Sequence, residues 1–224
     1  MKAIIFDAST LISLAMSCLY DELRKLKQNF DGKFLITQEV KNEVIDKPLS
    51  IPRFQLEGIK IQQLLDEKVL ELPDSVGVKD NEISKRTKEI TDIANSTFIG
   101  EREIKLIDYG EASCLILSKI LTEKKIENVV AVDERTMRSL CETPESLKRF
   151  LERKMHTKIH AKKENFTIFK SFRIIRSVEL IYVAYKKGLI GGRNKKLFGS
   201  MIYALKFKGC SISRDDVDEM RRMG

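Results

Sequence analysis

Residues 2–11, KAIIFDASTL, change at Asp7 from a short apolar run to a helical pattern. The run is too apolar for a strand with one exposed face, so it predicts a strand that is buried on both sides. Residues 129–133, VVAVD, repeat this arrangement and end at Asp133. Apolar strands that alternate with helical segments are typical of a parallel sheet covered by helices on both faces. We therefore predict an α/β fold.

The rest of the chain alternates in the same way. The predicted strands are 2–6, 34–36, 69–72 and 129–132, and the predicted helices are 9–27, 37–47, 53–67, 82–95, 110–122, 134–164, 165–187, 195–208 and 213–222. We expect Ser9 or Thr10 to cap the first helix and Thr37 to cap the second, which Pro48 should stop. Gly188–Gly192 should end the helix over 165–187.

The charge is divided unevenly along the chain. Residues 1–134 carry 19 Lys and Arg against 24 Asp and Glu, whereas residues 135–224 carry 22 against 9. The first part has a net charge of −5 and the second of +13. An acidic part beside a basic part suits a metal site next to a phosphate-binding surface. A lysine-rich, solvated surface of a thermophilic protein is the alternative.

The cysteines Cys18, Cys114, Cys141 and Cys210 are scattered and form no C-x-x-C motif. This favours reduced thiols in a cytoplasmic protein over a disulfide framework or a zinc site. No stretch approaches the roughly 20 apolar residues of a membrane span. Asp7 interrupts the apolar core that a signal peptide would need, so we expect a cytoplasmic protein with no membrane partner.

Four acidic residues, Asp7, Glu43, Glu111 and Asp133, are expected where strands lead into helices. The ligand crevice of an open parallel sheet lies beyond the carboxyl ends of its strands. Carboxylates gathered there repel each other by about 1 kcal/mol per pair at 4 Å even in bulk water, and by more in a cleft. The pattern therefore predicts a cation site, and one that handles phosphates.

The two acids at strand ends also have structural interpretations. Asp7 could belong to the cap of the following helix, although Ser9 and Thr10 are better spaced for that role. Asp133 could simply be solvated at the end of its strand. We favour function for both, because Asp133 mirrors Asp7 on another strand.

The two helical acids are open to the same question. Glu39 lies one turn before Glu43 and competes for its role, but Glu43 is closer to the apolar stripe of the helix. Asp108 and Glu111 form a D-x-x-E capping box, and capping alone would explain both residues. The sequence leaves capping and metal binding equally open for Glu111.

Other motifs favour structural roles. His156 and His160 could form half of a zinc site, but without a third ligand nearby they fit better on a basic helix that faces RNA. Gly188–Gly192 lacks the lysine spacing of a phosphate-binding loop. Three phenylalanines could stack bases, but their helical spacing favours burial: Phe166, Phe169 and Phe172.

Several segments, in order, resemble PIN-domain nucleases. They are residues 4–11 (IIFDASTL), 36–44 (ITQEVKNEV), 108–113 (DYGEAS) and 132–135 (VDER). Residues 185–190, YKKGLI, with Ile212 and Ser213, resemble the end of an archaeal and bacterial subgroup that includes VapC-type toxins. The resemblance is close over residues 1–135 and weak over 180–222.

The resemblance implies a three-layer α/β/α fold and RNA cleavage that depends on Mg²⁺ or Mn²⁺. The substrate would be single-stranded or loop RNA, and the products would carry 5′-phosphate and 3′-hydroxyl ends. The resemblance assigns the metal site to Asp7, Glu43, Glu111 and Asp133, with support from Ser9, Asp108 and Glu134. It also implies a catalytic core over 1–135. Residues 136–180 depart from the family pattern as a basic helical insertion, and residues 181–224 are helices that complete or flank the core.

Basic residues after the last predicted strand are expected to bind RNA phosphates without reading the base sequence. They are Arg135, Arg138, Lys148, Arg149, Arg153 and Lys154. An antitoxin-like protein and a second copy of the chain are further partners compatible with the resemblance.

Two other functions compete with the nuclease. Phosphatases of the haloacid dehalogenase type also begin with an Asp at a strand end, but they need a second Asp two residues later, where this chain has Ser9. A PIN-like scaffold that binds RNA or a ribonucleoprotein without cutting it is the non-enzymatic alternative.

Overall fold

The structure, a computed structural model, describes residues 1–191 and 194–223 and confirms an α/β fold with a parallel sheet. The strands are β1 (Lys2–Phe6), β2 (Gly32–Leu35), β3 (Phe98–Ile99), β4 (Glu127–Ala131), β5 (His160–Ala161) and β6 (Ile174–Ile175). The main sheet is parallel in the order β2-β1-β4-β6, and β3 pairs with β5 in a small antiparallel sheet.

The helices fill most of the remaining described chain. They are α1 (Ala8–Met16), α2 (Tyr20–Gln28), α3 (Gln38–Lys41), α4 (Lys47–Leu49), α5 (Gln55–Asp66), α6 (Asp80–Asn95), α7 (Tyr109–Glu123), α8 (Arg135–Glu142), α9 (Pro144–Met155), α10 (Phe166–Phe169), α11 (Ser177–Lys186), α12 (Lys195–Lys208) and α13 (Arg214–Met223). A π-helical turn, Asn42–Asp46, joins α3 to α4. None of the described helices is long and apolar enough to cross a bilayer.

The order of the strands places helices on both faces of the sheet. The β1-to-β2 and β2-to-β4 connections run in opposite directions across the sheet, so right-handed crossovers put α1 and α7 on opposite faces. α7 contacts β1, β4 and α6, whereas α11 and α12 contact α1. This arrangement is compatible with the predicted three-layer α/β/α fold.

The predicted helix over 9–27 is wrong in two respects. It is divided into α1 and α2 around Cys18, whose φ is +57°. The Cys18 and Leu19 amides donate to Ala15 and Leu14, the pattern of a Schellman end. That end usually uses glycine, so the sequence carries no signal for it. The helix also begins at Asp7 rather than at Ser9 or Thr10, because the Asp7 carboxylate is the N-cap.

The helix that Thr37 caps is confirmed, but Pro48 does not stop it. Proline has no amide hydrogen to donate to the preceding turn. The chain widens instead into the π-helical turn, in which the Lys47 amide donates to Asn42, and then continues to Leu49. Such turns are frequent at functional sites.

Three predicted elements downstream are also wrong. The helix over 134–164 is divided into α8 and α9 and ends at His156, whose φ is +52°, while His160 lies in β5. The strand over 69–72 is reduced to one parallel bridge between Glu71 and Leu35. The helix over 165–187 is divided into α10, β6 and α11, because Ile174 and Ile175 pair with β4 at the edge of the sheet. The segment 136–180 therefore contributes a strand to the central sheet as well as α8 and α9.

Several predictions about side chains are confirmed. The three phenylalanines Phe166, Phe169 and Phe172 are buried. The four cysteines are free, with only Cys18 exposed. Gly188 has a φ of +72° and follows Lys187, the C-cap of α11, as expected of a helix end. Gly192 of the predicted break lies outside the described residues.

The contact between β1 and β2 provides a test of the sheet register. A Cβ at Gly32 would lie 2.4 Å from the Lys2 carbonyl oxygen in β1 and 2.5 Å from a ring atom of Phe30. Backbone cannot move aside cheaply, so Gly32→Ala should lower the free energy of unfolding by about 2 kcal/mol. In the control Gly100→Ala, the nearest atom is the mobile end of Ile104 at 3.3 Å. Urea denaturation of both variants measures the difference, and equal midpoints would contradict the register.

Candidate active site

An acidic cavity of about 390 Å³ lies beyond the carboxyl ends of β1 and β4. Five carboxylates line it: Asp7, Glu43, Asp108, Glu111 and Glu134. Ser9, Lys105 and Thr136 contribute other polar groups. The cavity thus occupies the edge at which parallel sheets bind ligands.

Asp7 is the most firmly held of the acids. Its side chain is 2% exposed, and its amide donates to the Ala131 carbonyl of β4 at 3.0 Å. Its Oδ2 accepts from the Ser9 amide at 3.0 Å and from the Ser9 hydroxyl at 2.6 Å. Burial raises the pKa of Asp7 to about 6, and repulsion from Asp108 and Glu43 adds to this, while the Ser9 bonds oppose it.

Ser9 connects the two central strands at the cavity. Its Oγ donates to Asp7 and accepts from the amides of Asp133 at 3.1 Å and Glu134 at 3.3 Å. One hydroxyl therefore ties the beginning of α1 to the end of β4. The resemblance assigns Ser9 a supporting role, and its hydroxyl lies against Asp7.

The predicted capping box begins α7. The Glu111 amide donates to Asp108 Oδ1 and the Asp108 amide donates to Glu111 Oε2, both at 2.9 Å. Glu111 is only 9% exposed. Burial raises its pKa to about 9, and the charge of Asp7 is the next largest cause. Capping and membership of the acidic cavity therefore coincide in Glu111.

Glu43 reaches the cavity from the π-helical turn. Its Oε2 lies 3.2 Å from the position that a Cβ of Gly110 would occupy, and Asp108 Oδ1 lies 3.4 Å from the same point. A glycine at the beginning of α7 thus lets two carboxylates approach the helix end. Burial and the charge of Asp108 raise the pKa of Glu43, whereas Lys47 lowers it.

Glu39, the rival of Glu43, points elsewhere. Its neighbours are Asp80 and Ser84 on α6, and the Ser84 hydroxyl donates to Asp80. Burial is the main cause of its raised pKa. The structure therefore brings Glu43, and not Glu39, to the acidic cavity.

Asp133 is turned away from the cavity. It is fully buried, and its Oδ1 and Oδ2 accept from the amide of Ser177 at 2.8 Å and from its hydroxyl at 2.6 Å. Its carboxylate holds the beginning of α11. The next residue, Glu134, lines the cavity instead and caps α8 by accepting from the Met137 amide at 2.9 Å. Asp133 is thus the one predicted metal-site acid that the structure separates from the others.

The donor atoms of the cavity fit Mg²⁺ or Mn²⁺, which prefer carboxylate oxygens. Within residues 1–191 and 194–223, no three His, Cys, Asp or Glu side chains are grouped closely enough to hold an ion. Glu43 is exposed and can rotate, whereas the Met137 amide holds Glu134, and Asp108 and Glu111 hold each other. The ligand chemistry fits a divalent cation, and the coordination of an ion would require at least Glu43 to move.

The predicted RNA-binding residues lie on α8 and α9. Arg135 is exposed, follows Glu134 directly and lies over the Phe150 ring at 4.3 Å. Arg138 pairs with Glu142 at 4.0 Å and is mostly buried. It is therefore the least available of the six residues for RNA.

The other four predicted residues lie on α9. Lys148 pairs with Glu152 at 3.2 Å, and Arg149 donates to Ser146 at 3.0 Å. Arg153 and Lys154 are exposed. All four residues lie on α9, with Glu152 between them on its surface.

Lys105 is a cavity residue that sequence analysis missed. It is exposed and lies in the irregular segment that leads to α7. A single lysine among the many in this chain carries no sequence signal, because only the folded loop brings it to the acids.

The pKa shifts predict how stability depends on pH in metal-free protein. Folded Asp7 and Glu111 hold protons that the unfolded chain would release, so the free energy of unfolding should fall as pH rises from about 4 to about 9.

Glu111→Gln removes the ionisable group but keeps an oxygen for the capping box. It should therefore raise the melting temperature by several degrees in chelator at pH 8. Exposed Glu103→Gln is the control. Calorimetric scans at pH 5 and pH 8 make the measurement; a lower melting temperature for Glu111→Gln at pH 8 would contradict a strained cluster.

Asp133→Asn separates its two possible roles. An asparagine can still accept from the Ser177 amide and donate to its hydroxyl, so the cap should weaken by only about 1–3 kcal/mol. We expect calorimetric titration to give nearly the same Mn²⁺ affinity as wild type. A loss as large as that of Asp7→Asn would instead make Asp133 a ligand.

Comparisons with protein-family models, with curated proteins and with solved structures give no match to this chain.

Proposed function

We propose that this chain is a metal-dependent ribonuclease of the PIN type, which hydrolyses single-stranded or loop RNA to 5′-phosphate and 3′-hydroxyl ends. One observation carries the proposal: five carboxylates line a single cavity at the ligand-binding edge of a parallel sheet. The raised pKa values of Asp7 and Glu111 indicate that the cluster is strained when its acids ionise without a cation. A divalent cation would relieve that strain.

The residues of the cavity would have different roles in binding the ion and the phosphate. Asp7, oriented by Ser9, would be a fixed ligand, and the exposed Glu43 together with Glu134 would complete the set around the ion. When bound, the ion would polarise the scissile phosphate and acidify the attacking water. Lys105 lies at the same cavity and supplies positive charge for the phosphate oxygens.

The RNA strand would continue from the cavity over α8 and α9. Arg135 begins α8 immediately after Glu134, and Arg149, Arg153 and Lys154 are exposed further along. Residues 135–224 have a net charge of +13, whereas residues 1–134 have a net charge of −5. Contacts of these groups with phosphates give affinity without sequence selectivity. An antitoxin-like partner and a homodimer remain predictions of the resemblance.

RNA binding without cleavage is the second candidate. It is favoured because Asp108, Glu111, Glu134 and Asp133 all serve as helix caps, which accounts for them without catalysis. The two functions differ in one property, metal-dependent turnover.

Cleavage of a mixed single-stranded and hairpin RNA pool tests the proposal. Wild type should cut with Mn²⁺ or Mg²⁺ and stop in chelator, and Asp7→Asn should reduce cutting by at least about 100-fold, because it alters a ligand rather than a neighbour of one. RNA binding should survive in Asp7→Asn. Exposed Asp74→Asn is the matched control and should retain activity.

The chemistry of the product ends distinguishes this activity from that of a contaminating ribonuclease that attacks through the 2′-hydroxyl. Metal-assisted attack by water leaves 3′-hydroxyl ends, whereas attack by the 2′-hydroxyl leaves cyclic phosphates. Tight RNA binding without cutting under any metal would reject the ribonuclease and support the binding protein.

A further inference from the structure

An apolar groove of about 460 Å³ lies beside the acidic cavity, between α1, α4 and α5. Its lining is mainly aliphatic and includes Ala15, Met16, Val44, Pro48, Ile51 and Ile61. Phe54 and Met16 are 44% and 50% exposed. Apolar surface of this kind, open at a groove, is typical of a binding site.

The groove is continuous with the acidic cavity. Glu43 and Ile12 line both. The π-helical turn Asn42–Asp46 explains this, since it presents Glu43 to the cavity and Val44 to the groove. A ligand that has one group at the carboxylates can therefore place the next group in the groove.

The groove has a charged, exposed rim and an apolar, buried floor. Lys47 and Arg53 line it as cations, and Lys47 is close enough to Glu43 to lower the pKa of that carboxyl. The floor is apolar, apart from Glu57, which has one buried carboxylate oxygen without a hydrogen-bond partner among the described residues. A phosphate is suited to the rim, whereas the floor suits a neutral group with an N–H to donate.

We propose that this groove is a base-binding subsite, which holds one unstacked nucleobase of the RNA strand whose phosphate occupies the acidic cavity. The inference rests on the proposed function and specifies its substrate as a strand with an unpaired base beside the cut. Phe54 is the stacking surface: Arg53 lies over its ring at 5.2 Å, and both side chains are exposed. Aromatic rings bind bases of any sequence through their faces.

The test compares two probes of equal backbone charge. They are a fluorescein-labelled oligoadenylate hexamer and a hexamer of the same ribose-phosphate backbone without bases. Anisotropy titrations in Mn²⁺ use the Asp7→Asn background, which prevents cutting. The oligoadenylate should bind about tenfold more tightly than the baseless strand.

Phe54→Ala should bring the ratio of the two affinities close to one, while Phe54→Tyr should restore it. Leu56→Ala is the matched control. Leu56 is an apolar residue at the beginning of α5 that is 60% exposed and lies outside the groove lining. A ratio is informative here because a general loss of structure would weaken both probes together. Circular dichroism verifies that each variant is folded.

The outcomes separate this inference from the ribonuclease proposal. An unchanged ratio in Phe54→Ala overturns the subsite, even if wild type cuts RNA and Asp7→Asn does not. A ratio that depends on Phe54, with no cutting by wild type, supports the subsite and rejects the ribonuclease. If light scattering shows a dimer that Phe54→Ala dissociates, the groove is an interface between copies and the subsite is rejected.

Discussion

The hydrogen bonds of the Ser9 hydroxyl hold together the edge of the sheet on which the candidate site depends. They join Asp7, at the end of β1, to the backbone of Asp133 and Glu134, at the end of β4. The parallel pairing of β1 with β4 brings these ends side by side, and the Asp7 amide adds a bond to Ala131. With that edge in place, α1 and α8 both begin at the cavity.

The same arrangement makes it costly to ionise the acids of the site. Asp7 and Glu111 are buried near other carboxylates, and burial is the main reason that their pKa values rise. Helix N-termini offset part of this cost, since Asp7, Asp108 and Glu134 each accept backbone amides there. Capping and ion binding are therefore compatible, because a capping carboxylate has a second oxygen.

The acidic cavity and the apolar groove share one structural origin. Pro48 removes an amide from the helix after β2, and the chain widens into a π-helical turn. That turn directs Glu43 towards Gly110 and Val44 towards the apolar groove. Under the proposed function, a substrate that spans both would place its phosphate at the ion held by the carboxylates and its base among the apolar side chains.

The sequence by itself determined the α/β class, the buried strands β1 and β4, the Thr37 cap and the Asp108–Glu111 capping box, because these depend on local hydrophobic runs and on spacings of three residues. It also pointed to Asp7, Glu43 and Glu111, which the structure brings to one cavity. Only the tertiary structure decided that Asp133 caps α11, that Ile174 and Ile175 form an edge strand, and that Lys105 joins the acids. Each of these depends on a partner distant in the chain, which no local pattern encodes.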